Sequence, residues 1–248
     1  MSYQEEARKL LLEFLDNLDK AEKQEFLLLS SKWTVIEKSL EEKILALASK
    51  DTLTPNQLYQ SDLYKEFLVE AKKQVTQFAK EAGEIVAENQ LRFAQAGLAV
   101  TQSELSLLKI KFNSLPIQVI KNFIGKSKEG TPLFELLKAS YPETVTQLTD
   151  TLLRGIALGY NPEKTARLMA EDMSGNLTRA FRIARTEQMN VFRQTSTMQM
   201  QEAGLKEWEW LAEEDACEDC ASQNGKRFPL AEAMDTHPNC RCATLPVI

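Results

Sequence analysis

A chain of 248 residues with a formal net charge of −6 at pH 7 is not built chiefly to coat nucleic acid, whose phosphates reward the opposite sign. Hydrophobic residues at 43% and charged residues at 27% fit a globular protein with a sizeable core, and no stretch approaches the roughly 18 apolar residues that cross a bilayer. Nine glycines and eight prolines are few for this length, which favours long helices over many short strands.

The opening Met1-Ser2-Tyr3-Gln4-Glu5-Glu6 is acidic where a secretory leader is basic, so reducing cytoplasm is the compartment expected during folding. The first 50 residues read as one amphipathic helix. Ala7, Leu11, Phe14, Leu18 and Ala21 follow a 4-3-4-3 spacing, and the stripe shifts before resuming at Phe26, Leu29, Trp33, Ile36, Leu40, Ile44 and Leu47. Thr54-Pro55 has the form of a capped helix start. A second stripe then runs through Tyr59, Leu63, Phe67, Ala71, Val75, Phe78, Ala82 and Ile85 toward Gln95. Gly97 reads as a stop, and Thr101-x-x-Glu104 as a capping box opening a third helix that Pro116 kinks or breaks.

Gly125-Lys126-Ser127-Lys128-Glu129-Gly130 reads as a linker. Residues 1–124 are therefore expected to form a long-helix arm able to hinge there. Leu12, Leu27, Leu28 and Trp33 lie partly off its stripes and are expected to remain for a partner. Shorter helices follow near 132–139 and 142–158, the latter ended by Gly159. Asn161-Pro162 caps another through about Glu171, and Asn176 caps a last long helix to about Ala203, with Gly204 as its terminal glycine.

Beyond Gly204 the period changes. Trp208 and Trp210 alternate with Glu207 and Glu209 as in a half-buried strand, with the tryptophans read as core rather than as a stacking platform for bases. Asn224-Gly225 is a hairpin signal, and further extended runs are expected at 226–228 and 242–247. The predicted fold is mainly α with a small C-terminal β module: an arm over 1–124, a helical core over 125–204 and a Cys/His module over 205–248.

All four cysteines and the only histidine fall in that last segment, as Cys217-x2-Cys220 and His237-Pro238-Asn239-Cys240-Arg241-Cys242. Sulfur and imidazole nitrogen are preferred zinc donors, commonly drawn as two pairs from separate turns. One structural Zn²⁺ is the expected cofactor. Disulfides rank second because they leave His237 unexplained. Either Cys240 or Cys242 can serve as fourth ligand. Forty-four residues would struggle to bury enough core unaided, and a metal contributes on the order of 10 kcal/mol of folding free energy in such domains. Five soft donors fill a four-coordinate site without water, and no glycine-rich phosphate loop, nucleophile elbow or deaminase-type His-x-Glu is present. No catalytic residue and no small-molecule substrate are expected.

Upstream, Arg179, Arg182, Arg185 and Arg193 lie on one helix, mostly as a solvated face, with Arg179, Arg182 and Arg193 as candidate contacts to phosphate or to another protein. Arg185 and Glu187, two apart, cannot pair with each other and are expected to reach different neighbours.

These residues in this order carry a resemblance. Thr151-Leu152-Leu153-Arg154-Gly155-Ile156-Ala157-Leu158-Gly159-Tyr160-Asn161-Pro162, Ile183-Ala184-Arg185-Thr186-Glu187, Trp208 to Leu211, Cys217-x2-Cys220, Asn224-Gly225-Lys226-x-Phe228-Pro229-Leu230 and the terminal His-Pro-Asn-Cys-Arg-Cys resemble the phage Mu F-like head morphogenesis family, over roughly 145–248. Many relatives carry proline after the first cysteine, where this chain has Glu218. The resemblance implies a minor capsid protein of a tailed bacteriophage, present in few copies in the virion and made in the host cytoplasm. Its implied partners are the portal protein and other head proteins, and its implied role is assembly or DNA delivery. It implies Arg185, Thr186 and Glu187 as a structural motif and no catalysis. The competing reading is a nucleic-acid-binding zinc ribbon that contacts packaged DNA.

Overall fold

The computed structural model describes residues 3–48, 57, 60–139, 142–158, 160, 162–213 and 215–248. The expected cap at Thr54-Pro55, the start of the second stripe at Tyr59, and Gly159 and Asn161 lie outside them. Helix α1 spans Tyr3–Ala48 and α2 Asp62–Leu107. Short α3 (Ile117–Lys121) and α4 (Leu133–Ala139) follow, then α5 (Pro142–Ala157) and α6 (Pro162–Glu202). Strand β1 (Glu207–Leu211), helix α7 (Glu218–Gln223), β2 (Arg227–Pro229) and β3 (Ala243–Val247) complete the chain. The fold is mostly helical with one small antiparallel sheet in the order β2-β1-β3. No helix among the described residues is long and apolar enough to cross a membrane.

Two sequence boundaries dissolve. Gly97 does not end a helix: α2 runs through it, and a Cβ there would lie 2.5 Å from the Phe192 carbonyl oxygen, so glycine permits two backbones to touch. Thr101 and Glu104 are fully buried within the same helix rather than capping a new one. Likewise α6 is continuous across Glu171 and Asn176, where two helices were expected. Helical caps and stops are local signals, and tertiary packing overrides them when the surrounding face is buried.

The chain forms two compact units. One comprises 26–84 and 133–181. Its core is apolar and aromatic: Leu29, Trp33 and Leu40 from α1, Tyr64, Phe67, Val75 and Phe78 from α2, with Trp33 edge-on to Phe78 at 4.7 Å. Gly155 in α5 meets Thr165 of α6 so closely that a Cβ would lie 2.5 Å from Thr165 Oγ1. Trp33 is 1% exposed and thus unavailable to a partner, while Leu27 and Leu28 do face solvent.

The other unit comprises 1–25, 85–132 and 182–248. Ala7, Leu11, Leu15 and Leu18 pack here with Phe93, Val100, Met189, Phe192, Leu211, Ala243 and Leu245. Leu12 packs against this cluster and is not left over. The beginning of the predicted arm is therefore part of the core beneath the sheet. The apparent stripe shift after Ala21 also has a different cause. Burial continues at helical spacing through Glu22 and Glu25, two acidic residues occupying core positions, while Phe26 turns outward.

The glycine-bounded segment 125–130 is fastened rather than free. Ser127 N–H donates to Thr131 O at 2.7 Å, and Gly125 N–H to Gln90 Oε1 at 2.7 Å. Lys128 N–H donates to Glu187 Oε2 at 2.8 Å. Gly125 and Gly130 supply the positive φ angles of 79° and 86° that the turn requires.

In the sheet, Trp208 pairs with Phe228 and Pro246, and Trp210 with Thr244. Both tryptophans face a cluster with Met200, Cys220, Met234, Cys240 and Cys242. Trp208 stacks on Phe228 at 4.7 Å and donates its indole N–H to Glu232 O. At 1% and 4% exposure, Trp208 and Trp210 are core, as alternation predicts, and offer no face to a base. Asn224-Gly225 is not a two-residue hairpin. It turns the chain from α7 into β2, with Gly225 at φ 80° and its N–H on Trp210 O.

Candidate metal centre

Cys217 sits at the start of α7 in extended conformation, and one helical turn brings Cys220 beside it, with Ala221 N–H bonded to Cys217 O at 2.8 Å. On the facing loop, Asn239 adopts φ 66°, tolerable for asparagine, and Cys240 N–H closes the turn on His237 O. Two turns thus present their donors to each other. Cys217 Sγ and Cys220 Sγ each lie 3.3 Å from His237 Nε2, and Cys220 Sγ lies 3.8 Å from Cys240 Sγ. Around a tetrahedral zinc, bond lengths of about 2.3 Å to sulfur and about 2.0 Å to nitrogen give edges of roughly 3.8 Å and 3.5 Å. The donors form two triads that share Cys220: Cys217, Cys220 and His237, and Cys220, Cys240 and Cys242. The five side chains singled out in the sequence are close enough to hold a metal ion.

The histidine is prepared for that role. Nδ1 lies 2.8 Å from Pro238 O, so the proton belongs on Nδ1 and the lone pair of Nε2 faces the sulfurs. Burial pushes the Cys220 thiol up to about 12. Cys242 accepts hydrogen bonds from the Cys240 thiol and the Glu213 N–H, which hold it down to about 5, while Cys240, as the donor, is raised. Closely packed thiols resist collective ionisation unless a cation is present, and a coordinated thiol is deprotonated outright.

Three attachments hold this centre, those of Arg241 and Arg193 buried and that of Thr186 exposed. Arg241, between two cysteines and 4% exposed, donates to Glu22 Oε1 at 2.7 Å, pairs with Asp19, and lies 3.7 Å from Glu213. Arg193 donates Nε–H to Cys242 O at 2.8 Å and its other nitrogens to Cys240 O and Asn190 Oδ1. Thr186 accepts the Asn239 N–H at 3.1 Å. The Arg-Thr-Glu run thus sends each side chain elsewhere: Arg185 to Glu22 of α1 at 3.5 Å, Thr186 to the histidine loop, and Glu187 to the 127–131 turn.

Residues 146–245 match the model of the Phage Mu protein F like family. The matched segment takes in most of α5, all of α6, the four cysteines and His237, and the match suggests a phage head morphogenesis or capsid-related protein. No curated protein and no solved structure gives a significant match.

One sequence expectation in this segment is corrected. Arg193, a candidate contact to phosphate or portal, is 6% exposed and faces cysteine carbonyls, out of reach of a partner. Arg182 is exposed, as a contact requires, and Arg179 is half-buried. Sequence reading missed Arg241, Glu22 and Glu25. The only signal for Arg241 was its place between two candidate ligands, and for the glutamates their fall on the buried face of α1.

Proposed function

We propose that this is a minor head protein of a tailed bacteriophage, associated with the portal vertex inside the capsid, with a structural zinc and no catalytic role. The observation that carries the reading is the coincidence of the Mu F-like segment with a closed nest of five soft donors, tied by Thr186 and Arg193 to the long helix of the same segment. Zinc would be held by Cys217, Cys220, His237 and one of Cys240 or Cys242. It would fix the two facing turns in place, with no open position for water.

Direct DNA contact by the cysteine module is less favoured. Its tryptophans are buried, Arg193 faces inward and Arg241 is engaged by three carboxylates. The partners supported are protein surfaces of the head.

Purified protein prepared without chelator should contain about one zinc per chain by elemental analysis. Tagged protein should co-purify with portal protein from heads that lack DNA. Recovery of the protein only with DNA, and its loss after nuclease treatment, would overturn the portal reading in favour of a nucleic-acid binder.

A further inference from the structure

Arg193 is buried with a charge that none of its hydrogen bonds neutralises. Its acceptors are the carbonyls of Cys240 and Cys242 and the amide oxygen of Asn190, all uncharged. A guanidinium does not shed its proton in a protein, and a buried cation without an anion is costly. Among the described residues no carboxylate pairs with it. Arg241, the neighbouring buried guanidinium, is by contrast surrounded by Asp19, Glu22 and Glu213. The groups able to become negative beside Arg193 are the sulfurs of Cys220, Cys240 and Cys242.

We infer that Arg193 is the counter-charge of the metal–thiolate centre, a positioning residue that makes burial of the ligands electrically neutral. The inference rests on the zinc reading above. A divalent ion with three thiolates and a neutral imidazole carries one net negative charge, and one guanidinium cancels it. Four thiolates would leave a further negative charge buried. The same guanidinium grips the carbonyls on both sides of Arg241, so it also fixes the segment bearing the two cysteines.

The test compares the full-length protein with Arg193→Gln, which keeps hydrogen-bonding capacity without charge, and Arg193→Lys, which keeps charge without the planar fork. Zinc affinity is read by competition with a chromophoric chelator. Cobalt substitution reports whether the coordination geometry is kept. Arg193→Gln should bind zinc on the order of 10- to 100-fold more weakly, as outer-shell losses typically do, and Arg193→Lys should stay within about threefold of the parent. Where Arg193→Gln needs metal to fold, the zinc concentration that restores the Trp208 and Trp210 fluorescence gives the same ratio. Gln within about twofold of the parent, or Lys falling as far as Gln, overturns the inference, the second because carbonyl grip rather than charge would then set affinity. Failure of the unaltered protein to bind zinc defeats the metal reading itself, whereas a zinc-loaded parent with indifferent variants defeats only the role of Arg193.

Discussion

The two compact units bury different things. In the unit of 26–84 and 133–181, α1 and α2 bury Leu29, Trp33, Leu40, Phe67, Val75 and Phe78, with Trp33 against Phe78, and the cross-helix ion pair of Lys32 with Glu81 is partly exposed. In the unit that contains the cysteines, the same two helices bury Glu22, Glu25, Asn89, Gln90, Thr101 and Glu104. For two of these acids another element supplies the donors. Arg241 does so for Glu22, and Asn89 with Gln188 for Glu25. The lesson is one of dependence: the apolar unit is held chiefly by burial, whereas in the other the buried acids of α1 depend on donors from α2, α6 and the cysteine loop.

The largest expected effect tests that dependence. Arg241→Met removes the cation shared by Asp19, Glu22 and Glu213 and leaves Glu22 buried beside like charges. Desolvation already raises the Glu22 carboxyl against the pull of Arg241 and Arg185. Breaking a buried pair from one side costs about 3–5 kcal/mol, so the urea midpoint should fall sharply. The double variant Arg241→Met with Glu22→Leu should recover a large part of the loss. Equal loss in single and double variants would mean that Arg241 acts through the metal loop alone.

A smaller effect concerns pH. Burial raises Glu25 to about 7, with its hydrogen bonds to Asn89 and Gln188 opposing the shift. The folded carboxyl therefore holds its proton in a range, about pH 4.5 to 7, where the unfolded one has lost it. Fewer protons on the unfolded state make the slope of stability with pH negative, so this group's contribution is lost as pH rises through that window. A shift of this size corresponds to at most about 3 kcal/mol. Glu25→Gln, which stays neutral and can still accept both amide N–H groups, should flatten the slope and be more stable than the parent at pH 8. An unchanged slope would mean that the carboxylate is solvated in the native state.

How much of this was readable in one dimension follows from the same contrast. Cysteine and histidine are rare and chemically specific, so their pairing across 16 intervening residues marked side chains that the fold brings close enough to hold a metal ion. Trp208 and Trp210 declared their face by simple alternation. The long helices were legible from apolar spacing. Their polar core positions were not, because Glu22 looks like surface until Arg241, 219 positions away, is brought beside it. Gly97 looked like a stop because a close backbone approach leaves no local trace, and the turn at 125–130 looked like a linker because its partners Gln90 and Glu187 lie on other helices.

The smallest expected effect completes the comparison from the apolar side. Lys32 and Glu81 approach to 2.6 Å, comparable with the 2.7 Å between Arg241 and Glu22, yet their side chains are 37% and 34% exposed. Hydrogen bonds from Lys32 and Gln77 hold the Glu81 carboxyl below its ordinary value, but water screens most of that attraction. Exposed pairs of this kind contribute about 0.2–1 kcal/mol. Lys32→Met should therefore shift the urea midpoint only slightly, and its aliphatic stem should preserve contact along the helix. The residual effect should shrink as salt is raised from 0.05 to about 0.5 M, since the Debye length falls well below 10 Å. A loss comparable with that of Arg241→Met would mean that distance rather than burial governs these pairs, and the contrast between the two units would fail.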